Sequence, residues 1–295
     1  MKILISGATG LVGKEVVNYL ENKGYEVLKL QRKDPNILPY WNIEKKIVNF
    51  DKNRQIDVVI HLAGENISQN RWNRVKKDKI LKSRVNGTRL LAEYILKQKV
   101  KPKVFISCSA IGFYGDRKDE ILTEKSKKGE GFLSDVTYEW EKVSNLASDF
   151  GIRVVQIRLG MVLSKKGGAL KKMVLPFKMG LGGTIGNGKQ YISWISIQDL
   201  TRAIEYIIKT PTLKGAINLV APNSVTNLEF TKTLGTVLHR PTFLPLPTFL
   251  IKIIFGEMGK ELLLSSTRVK PIKLENSGFS FQYPKLKMAL TQELG

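Results

Sequence analysis

Three glycines near the start of the chain stand where phosphate chemistry would need them. They lie in Gly7-Ala8-Thr9-Gly10-Leu11-Val12-Gly13, after the apolar run Lys2–Ser6 and before Leu11–Asn22, where Val12, Val16 and Leu20 share one helical face with Val17 beside them. Gly7 permits a sharp exit from a strand. Gly10 lacks the Cβ that would hold a diphosphate off the backbone, and Gly13 lets a helix lie close to a sheet. The free amides and positive end of that helix would face the phosphates. Strand, turn and helix in this order mark a dinucleotide site. At the end of the next strand, Leu30-Gln31-Arg32-Lys33-Asp34 offers a guanidinium where an acid would grip a ribose 2′-hydroxyl. Arg32, assisted by Lys33, suits a 2′-phosphate, so NADP(H) is preferred to NAD(H). Asp34, one step beyond, keeps NAD(H) open. Leu62-Ala63-Gly64 ends a third strand, and its small residues let adenosine and the adjoining ribose lie against backbone. His61 reads as a satisfied core residue.

The elements that must hold these residues alternate. Lys2–Ser6, Glu26–Leu30, Asp57–Leu62, Lys103–Ser107 and Arg153–Leu159 read as strands; Leu11–Asn22, Asp78–Gln98 and Ser134–Phe150 read as helices between them. Apolar strands separated by helices imply right-handed crossovers and an α/β fold, a doubly wound parallel sheet with helices on both faces. After Leu163 the texture changes. Ser164–Gly188 is glycine-rich and basic, and Pro176 argues against a long regular element there. A strand (Tyr191–Ile195), a helix (Gln198–Lys209), a strand (Ala216–Val220) and a helix (Asn227–Leu238) follow. Pro241, Pro245 and Pro247 mark a break, and the tail from Phe249 reads as helices around a turn at Pro271. The expected organisation is a nucleotide-binding domain over residues 1–240, with substrate-side elements from about 164 onward, and a small helical C-terminal domain over residues 241–295.

Composition narrows the function. The 295 residues are 42% hydrophobic and 25% charged, an ordinary globular balance. The longest apolar candidate, Leu244–Phe255, is interrupted and too short to cross a bilayer. Met1 leads straight into a strand, so no signal peptide is expected, and a cytoplasmic location is. The single cysteine, Cys108, excludes an internal disulfide framework; with only His61 and His239 as histidines, no metal is expected. Forty-eight Lys and Arg against 26 Asp and Glu give +22, a field that attracts polyanions. The lysines are scattered without an aromatic-interleaved block, so a solvated basic surface is expected and specific nucleic-acid binding is not.

The glycine loop and the Leu-Ala-Gly strand end resemble the short-chain dehydrogenase/reductase superfamily. His61-Leu62-Ala63-Gly64-Glu65-Asn66-Ile67, Arg71-Trp72, Ser83-Arg84, Trp140-Glu141, Leu175-Pro176-Phe177 and Trp194-Ile195 with Asp199-Leu200 narrow the match. With Pro245-Leu246-Pro247, Gly256-Glu257-Met258 and Tyr283-Pro284 in the tail, the whole chain resembles the atypical extended "epimerase family protein" group, which has its own C-terminal domain. The resemblance implies a Rossmann-type domain and an NADP(H) site. Thr9, Leu11 and Val12 would line the diphosphate, Gln31 and Arg32 the adenosine end, and Leu62 and Ala63 the dinucleotide's flank. Arg84 would be a further contact, and Val162 would lie near the nicotinamide.

The superfamily's chemistry implies a serine, a tyrosine and a lysine one helical turn later. Ser109 stands where that serine belongs, and Tyr138-Glu139-Trp140-Glu141-Lys142 spells Tyr-x-x-x-Lys. The expected catalytic set is therefore Ser109, Tyr138 and Lys142. The group's Trp-Glu frame gives a second register, in which Thr137 and Glu141 take the two positions; adjacent helical residues point about 100° apart, so only one register faces inward. The group's usual Trp-Ile-His appears as Trp194-Ile195-Ser196, and Tyr114 offers another phenol. The Gly180–Gly188 loop, with Gln190 and Trp194, would wall the substrate side. The resemblance implies an NADP(H)-dependent oxidoreductase or epimerase acting on a small hydroxyl or carbonyl compound, as a monomer or homodimer. The alternative is a cofactor-binding protein without turnover that acts through a partner, in line with the cell-division label some relatives carry.

Overall fold

The computed structural model describes residues 1–50 and 55–295. Six parallel strands form the central sheet: β1 (Lys2–Ser6), β2 (Glu26–Leu30), β3 (Val58–His61), β4 (Val104–Ala110), β5 (Arg153–Leu159) and β6 (Gly215–Leu219). Their order is β6-β5-β4-β3-β1-β2. The chain steps outward from β1 to β2 and then returns past β1 to β3, so the order reverses between β1 and β3. Such a reversal opens a crevice at the carboxyl ends of the two strands. The register aligns Ser6 with His61 across β1 and β3, and His61 with Ser107 across β3 and β4.

The inner strands β1, β3, β4 and β5 bury both faces, which is why the sequence shows apolar runs there, whereas β2, at the sheet's edge, leaves Glu26 and Lys29 exposed. Ile3, Ile5, Val58 and Ile60 pack on one side with α1 (Leu11–Asn22) and α5 (Ile197–Lys209). Leu4, Val59 and Phe105 pack on the other with Leu91, Ala92 and Ile95 of α2 (Arg74–Leu96). Helix α3 (Phe132–Ser144) lies beside α2 and passes into a 3₁₀ segment, Asn145–Phe150.

The stretch after Leu163 departs from expectation. Residues Gly168–Lys178 form a helix, α4, with Pro176 inside it. The proline sits in the last turn, where only one intrahelical bond is forfeited, and the buried Leu170 and Phe177 join a cluster with Trp194 and Phe230. The expected strand Tyr191–Ile195 is two short strands with different partners: Tyr191–Ile192 pairs with Val225–Thr226, and Trp194–Ser196 pairs with Met161–Leu163. Helix α6 (Asn227–Leu238) follows β6.

The tail contains α7 (Thr248–Gly259), a π turn (Lys260–Leu264), α8 (Ile272–Asn276) and α9 (Leu286–Leu294). It is tied closely to the rest. Arg268–Val269 pairs with Ile121–Leu122, and the Asp199 carboxylate accepts the amides of Gln282 and Tyr283, both at 2.8 Å. Glu293 accepts the Lys165 amide at 2.8 Å. Among the described residues, no helix is long and apolar enough to cross a membrane.

Candidate functional site

The crevice between β1 and β3 is floored by the glycine loop. Gly7 has φ +76°, and a Cβ there would stand 2.7 Å from the Ala63 nitrogen, so the loop and the end of β3 touch backbone to backbone. A Cβ on Gly13 would fall 2.1 Å from the Gly7 carbonyl oxygen; no side chain fits between α1 and the strand exit. At Gly10 an added Cβ would meet only the Gly7 oxygen, at 3.4 Å, and both Thr9 and Gly10 are exposed. Gly10 begins α1 with no side-chain cap, leaving first-turn amides open toward the crevice. Leu11 and Val12 are half-buried beside it. Across from them the start of α4 comes down on Leu11, whose Cδ1 lies 3.2 Å from where a Gly167 Cβ would be.

Beneath the loop the Ser6 hydroxyl and His61 Nδ1 are 2.5 Å apart, tying β1 to β3. His61 is fully buried, and its Nε2 has no partner among the described residues. The expectation of a satisfied histidine therefore holds for one nitrogen only. Desolvation, reinforced by the Arg84 charge, lowers its pKa to about 3. The ring is neutral at any ordinary pH.

At the adenosine end, the Gln31 side chain organises its own loop. It accepts the Lys33 amide at 2.6 Å and donates to the Ile37 carbonyl at 2.6 Å and to that of Asp34. The Asp34 carboxylate accepts the Asn36 amide at 2.9 Å. Arg32 and Lys33 project from this turn, exposed and unpaired among the described residues. Ala63 and Gly64 follow β3, and the Arg84 guanidinium lies over Gly64, 3.2 Å from the position of a Cβ there. Arg84 donates to the Glu65 and Ile80 carbonyls at 3.1 and 3.2 Å and stands 5.1 Å from the Trp140 ring centre. Val162 is half-buried on the short strand beside Trp194–Ser196.

The catalytic expectation needs correction. Tyr138 is 45% exposed and lies under Lys128, and Lys142 is also exposed. The inward residues of α3 are Thr137, Trp140 and Glu141. Their side of the helix is fixed by a buried network. Ser109 donates to Glu141 Oε1 at 2.6 Å, while Arg158 on β5 grips both carboxylate oxygens at 2.8 Å. Arg158 also donates to the Tyr114 hydroxyl at 2.9 Å, and that hydroxyl donates to Asn218 Oδ1 at 2.7 Å. Burial opposes the charge on Arg158, but Glu141 and Tyr114 raise its pKa overall. Tyr114 is fully buried, and burial above all pushes its pKa up to about 12, so the phenol keeps its proton near neutrality. Thr137 donates back to the Leu133 and Ser134 carbonyls at 2.8 and 3.0 Å.

Two wall residues are corrected as well. Trp194 is fully buried, its indole bonded to the Asn223 carbonyl at 3.0 Å, and Gln190 is buried against the Ile185 and Leu263 carbonyls. Ser196, where the resemblance implies a histidine, caps α5 by accepting the Asp199 amide at 3.0 Å. Arg158 is a site residue that the motifs do not point to. Its signal was a guanidinium inside the strand Val-Val-Gln-Ile-Arg-Leu, which needs a carboxylate partner. Among the described residues, no three His, Cys, Asp or Glu side chains cluster as metal ligands.

A parallel sheet with reversed strand order and a glycine cradle at the reversal defines a Rossmann-type nucleotide-binding protein. The chain belongs to the NAD dependent epimerase/dehydratase family, whose profile matches residues 3–219; a second family, described as a domain of unknown function (DUF1731), matches residues 246–293. The Mycobacterium bovis epimerase family protein Mb2239 is 37% identical over 98% of this chain and 96% of its own. The Bacillus subtilis epimerase family protein YfhF is 38% identical, over 99% and 97%. The crystal structure of human epimerase family protein SDR39U1 (isoform 2) with NADPH superposes at a TM-score of 0.90, with 33% identity and 99% of each chain covered.

Proposed function

We propose that this protein binds NADP(H) and acts as an oxidoreductase or epimerase on a small hydroxyl or carbonyl compound. The observation that carries the reading is the open face of Gly10 above uncapped α1, with Arg32 exposed, and unpaired among the described residues, at the end of β2. The cradle fits the cofactor: added side chains at Gly7 and Gly13 would strike backbone, while the one at Gly10 would project into the crevice. Thr9, Leu11, Val12 and the first-turn amides would surround the diphosphate, and Arg32 the 2′-phosphate. Leu62, Ala63 and Gly64 would flank the adenosine half, and Arg84 and Val162 would border the inner half. That the human relative's structure is described with NADPH agrees. Bound, the nicotinamide supplies a hydride donor or acceptor.

The protein's own part in any proton transfer is restricted. Ser109 is the one residue of the expected catalytic set that faces the interior, and its hydroxyl is committed to Glu141. That observation favours a second reading, cofactor binding without turnover. The two separate on one experiment, in which purified protein with NADPH is offered a broad panel of carbonyl compounds while absorbance of the reduced nicotinamide is followed. The first reading expects oxidation with at least one compound and its loss in Ser109→Ala. NADPH binding with no oxidation by any of them favours the second.

A further inference from the structure

Two stretches that lie side by side carry a group of strongly exposed apolar side chains. Leu175 of α4 and Met179 just after it, and Phe243, Phe249, Ile253 and Ile254 before and along α7, are all more than half exposed, Phe243 at 82%. The two stretches form one surface. The Leu246 amide donates to the Thr184 carbonyl at 2.8 Å, the Gly186 amide to the Leu246 carbonyl at 2.9 Å, and Arg240 Nε to the Lys178 carbonyl at 3.0 Å. Helix α7 is held by its inner side, where Ile251 is fully buried, while its outer side carries Phe249, Ile253 and Ile254. Monomeric proteins rarely leave such a face uncovered.

Its charges say what covers it. From Ser164 to Gln190, and from Phe230 to Gly256, there is no Asp or Glu; exposed Lys178, Arg240 and Lys252 stand among the apolar side chains. Of the acids that bound the second stretch, Glu257 is bonded to Lys77 at 2.8 Å, and Glu229 stands exposed in the first turn of α6, away from α7 in the chain. Apolar side chains interleaved with cations alone match the boundary of an anionic bilayer, where headgroups meet the cations and acyl chains meet the side chains. The helical run of α7 from Thr248 is broken by a kink at Gly256 (φ +58°), so it can lie on such a boundary and is far too short to span it. A second copy would set these cations against their own kind in a chain already at +22. Nucleic acid offers phosphates but no apolar layer for Phe243 and Phe249.

We infer that this face docks the protein onto an anionic membrane surface. Lys178, Arg240 and Lys252 meet the headgroups, and Phe243, Phe249, Ile253 and Ile254 enter the acyl boundary. The test is flotation of the purified full-length protein with vesicles of phosphatidylcholine alone or mixed with phosphatidylglycerol. The protein rises with the mixed vesicles and stays down with the neutral ones. The triple variant Phe243→Ser/Phe249→Ser/Ile253→Ser lowers the partition on the order of tenfold or more at an unchanged melting temperature. Lys178→Glu/Lys252→Glu, which keeps every apolar side chain, lowers it as well. Four results would overturn the inference: no flotation with phosphatidylglycerol; a triple variant that floats like the parent; a parent that sediments as a dimer while the triple variant is monomeric; or retention of duplex DNA where no vesicle is bound.

Discussion

Arg32 and Glu141 show how much one side chain decides. Arg32 is exposed and unpaired among the described residues, so its removal leaves the fold intact while deleting a charge-assisted hydrogen bond, about 1.5–3 kcal/mol. Arg32→Ala is expected to weaken NADPH roughly 10- to 150-fold and NADH little, and titration with both coenzymes checks it; an unchanged ratio would refute the assignment. Glu141 behaves in the opposite way. Glu141→Gln leaves Arg158 buried without its counter-charge, expected to destabilise by about 3–5 kcal/mol, readable in urea unfolding. Tyr138→Phe and Lys142→Ala, both on the solvent side of α3, are expected to change stability by no more than about 0.5 kcal/mol and NADPH affinity not at all. The choice between Thr137 and Tyr138 was not legible locally, because the residue that decides it, Arg158, arrives on another strand. A charge inside an apolar strand is the available sign, but an apolar run on both sides of it reads the same with or without a partner.

Among the elements, the junction of β1, α1 and β3 carries the site. A methyl group at Gly13 has nowhere to go but the Gly7 carbonyl, so Gly13→Ala is expected to cost about 1–3 kcal/mol and to disturb the diphosphate cradle together with stability. The same junction makes stability pH-dependent. With His61 held near a pKa of 3 in the fold against 6.5 when unfolded, the unfolded chain takes up a proton that the native one refuses across that window. Stability therefore rises with pH between those values and is lost on acidification, by up to about 1.4 kcal/mol per unit. Relative to His61→Gln, the parent is expected to lose about 2 kcal/mol more between pH 6.5 and about pH 5 in urea titrations; parallel curves would contradict this. The central strands and α1, α5 and α6 were legible, because burial on two faces and one-sided helices leave period-specific patterns. Helix α4 was not: Pro176 suggests a break, and the packing of Leu170 and Phe177 beside Trp194 outweighs it.

Across the whole molecule, the order β6-β5-β4-β3-β1-β2 gathers the glycine loop, the Ala63-Gly64 turn, Arg84 and the Ser109–Glu141–Arg158 network at one carboxyl edge. That convergence follows from parallel strands alone, since each chain exit then lies on the same side. The tail is stitched to the rest of the molecule by Asp199 and Glu293. Calorimetric titration of the folded protein with NADPH, NADH, NADP⁺ and NAD⁺ asks whether the glycine cradle holds a dinucleotide. One saturable site is expected for NADPH, bound at least roughly tenfold more tightly than NADH; no saturable heat with any of the four would contradict a cradle for a dinucleotide.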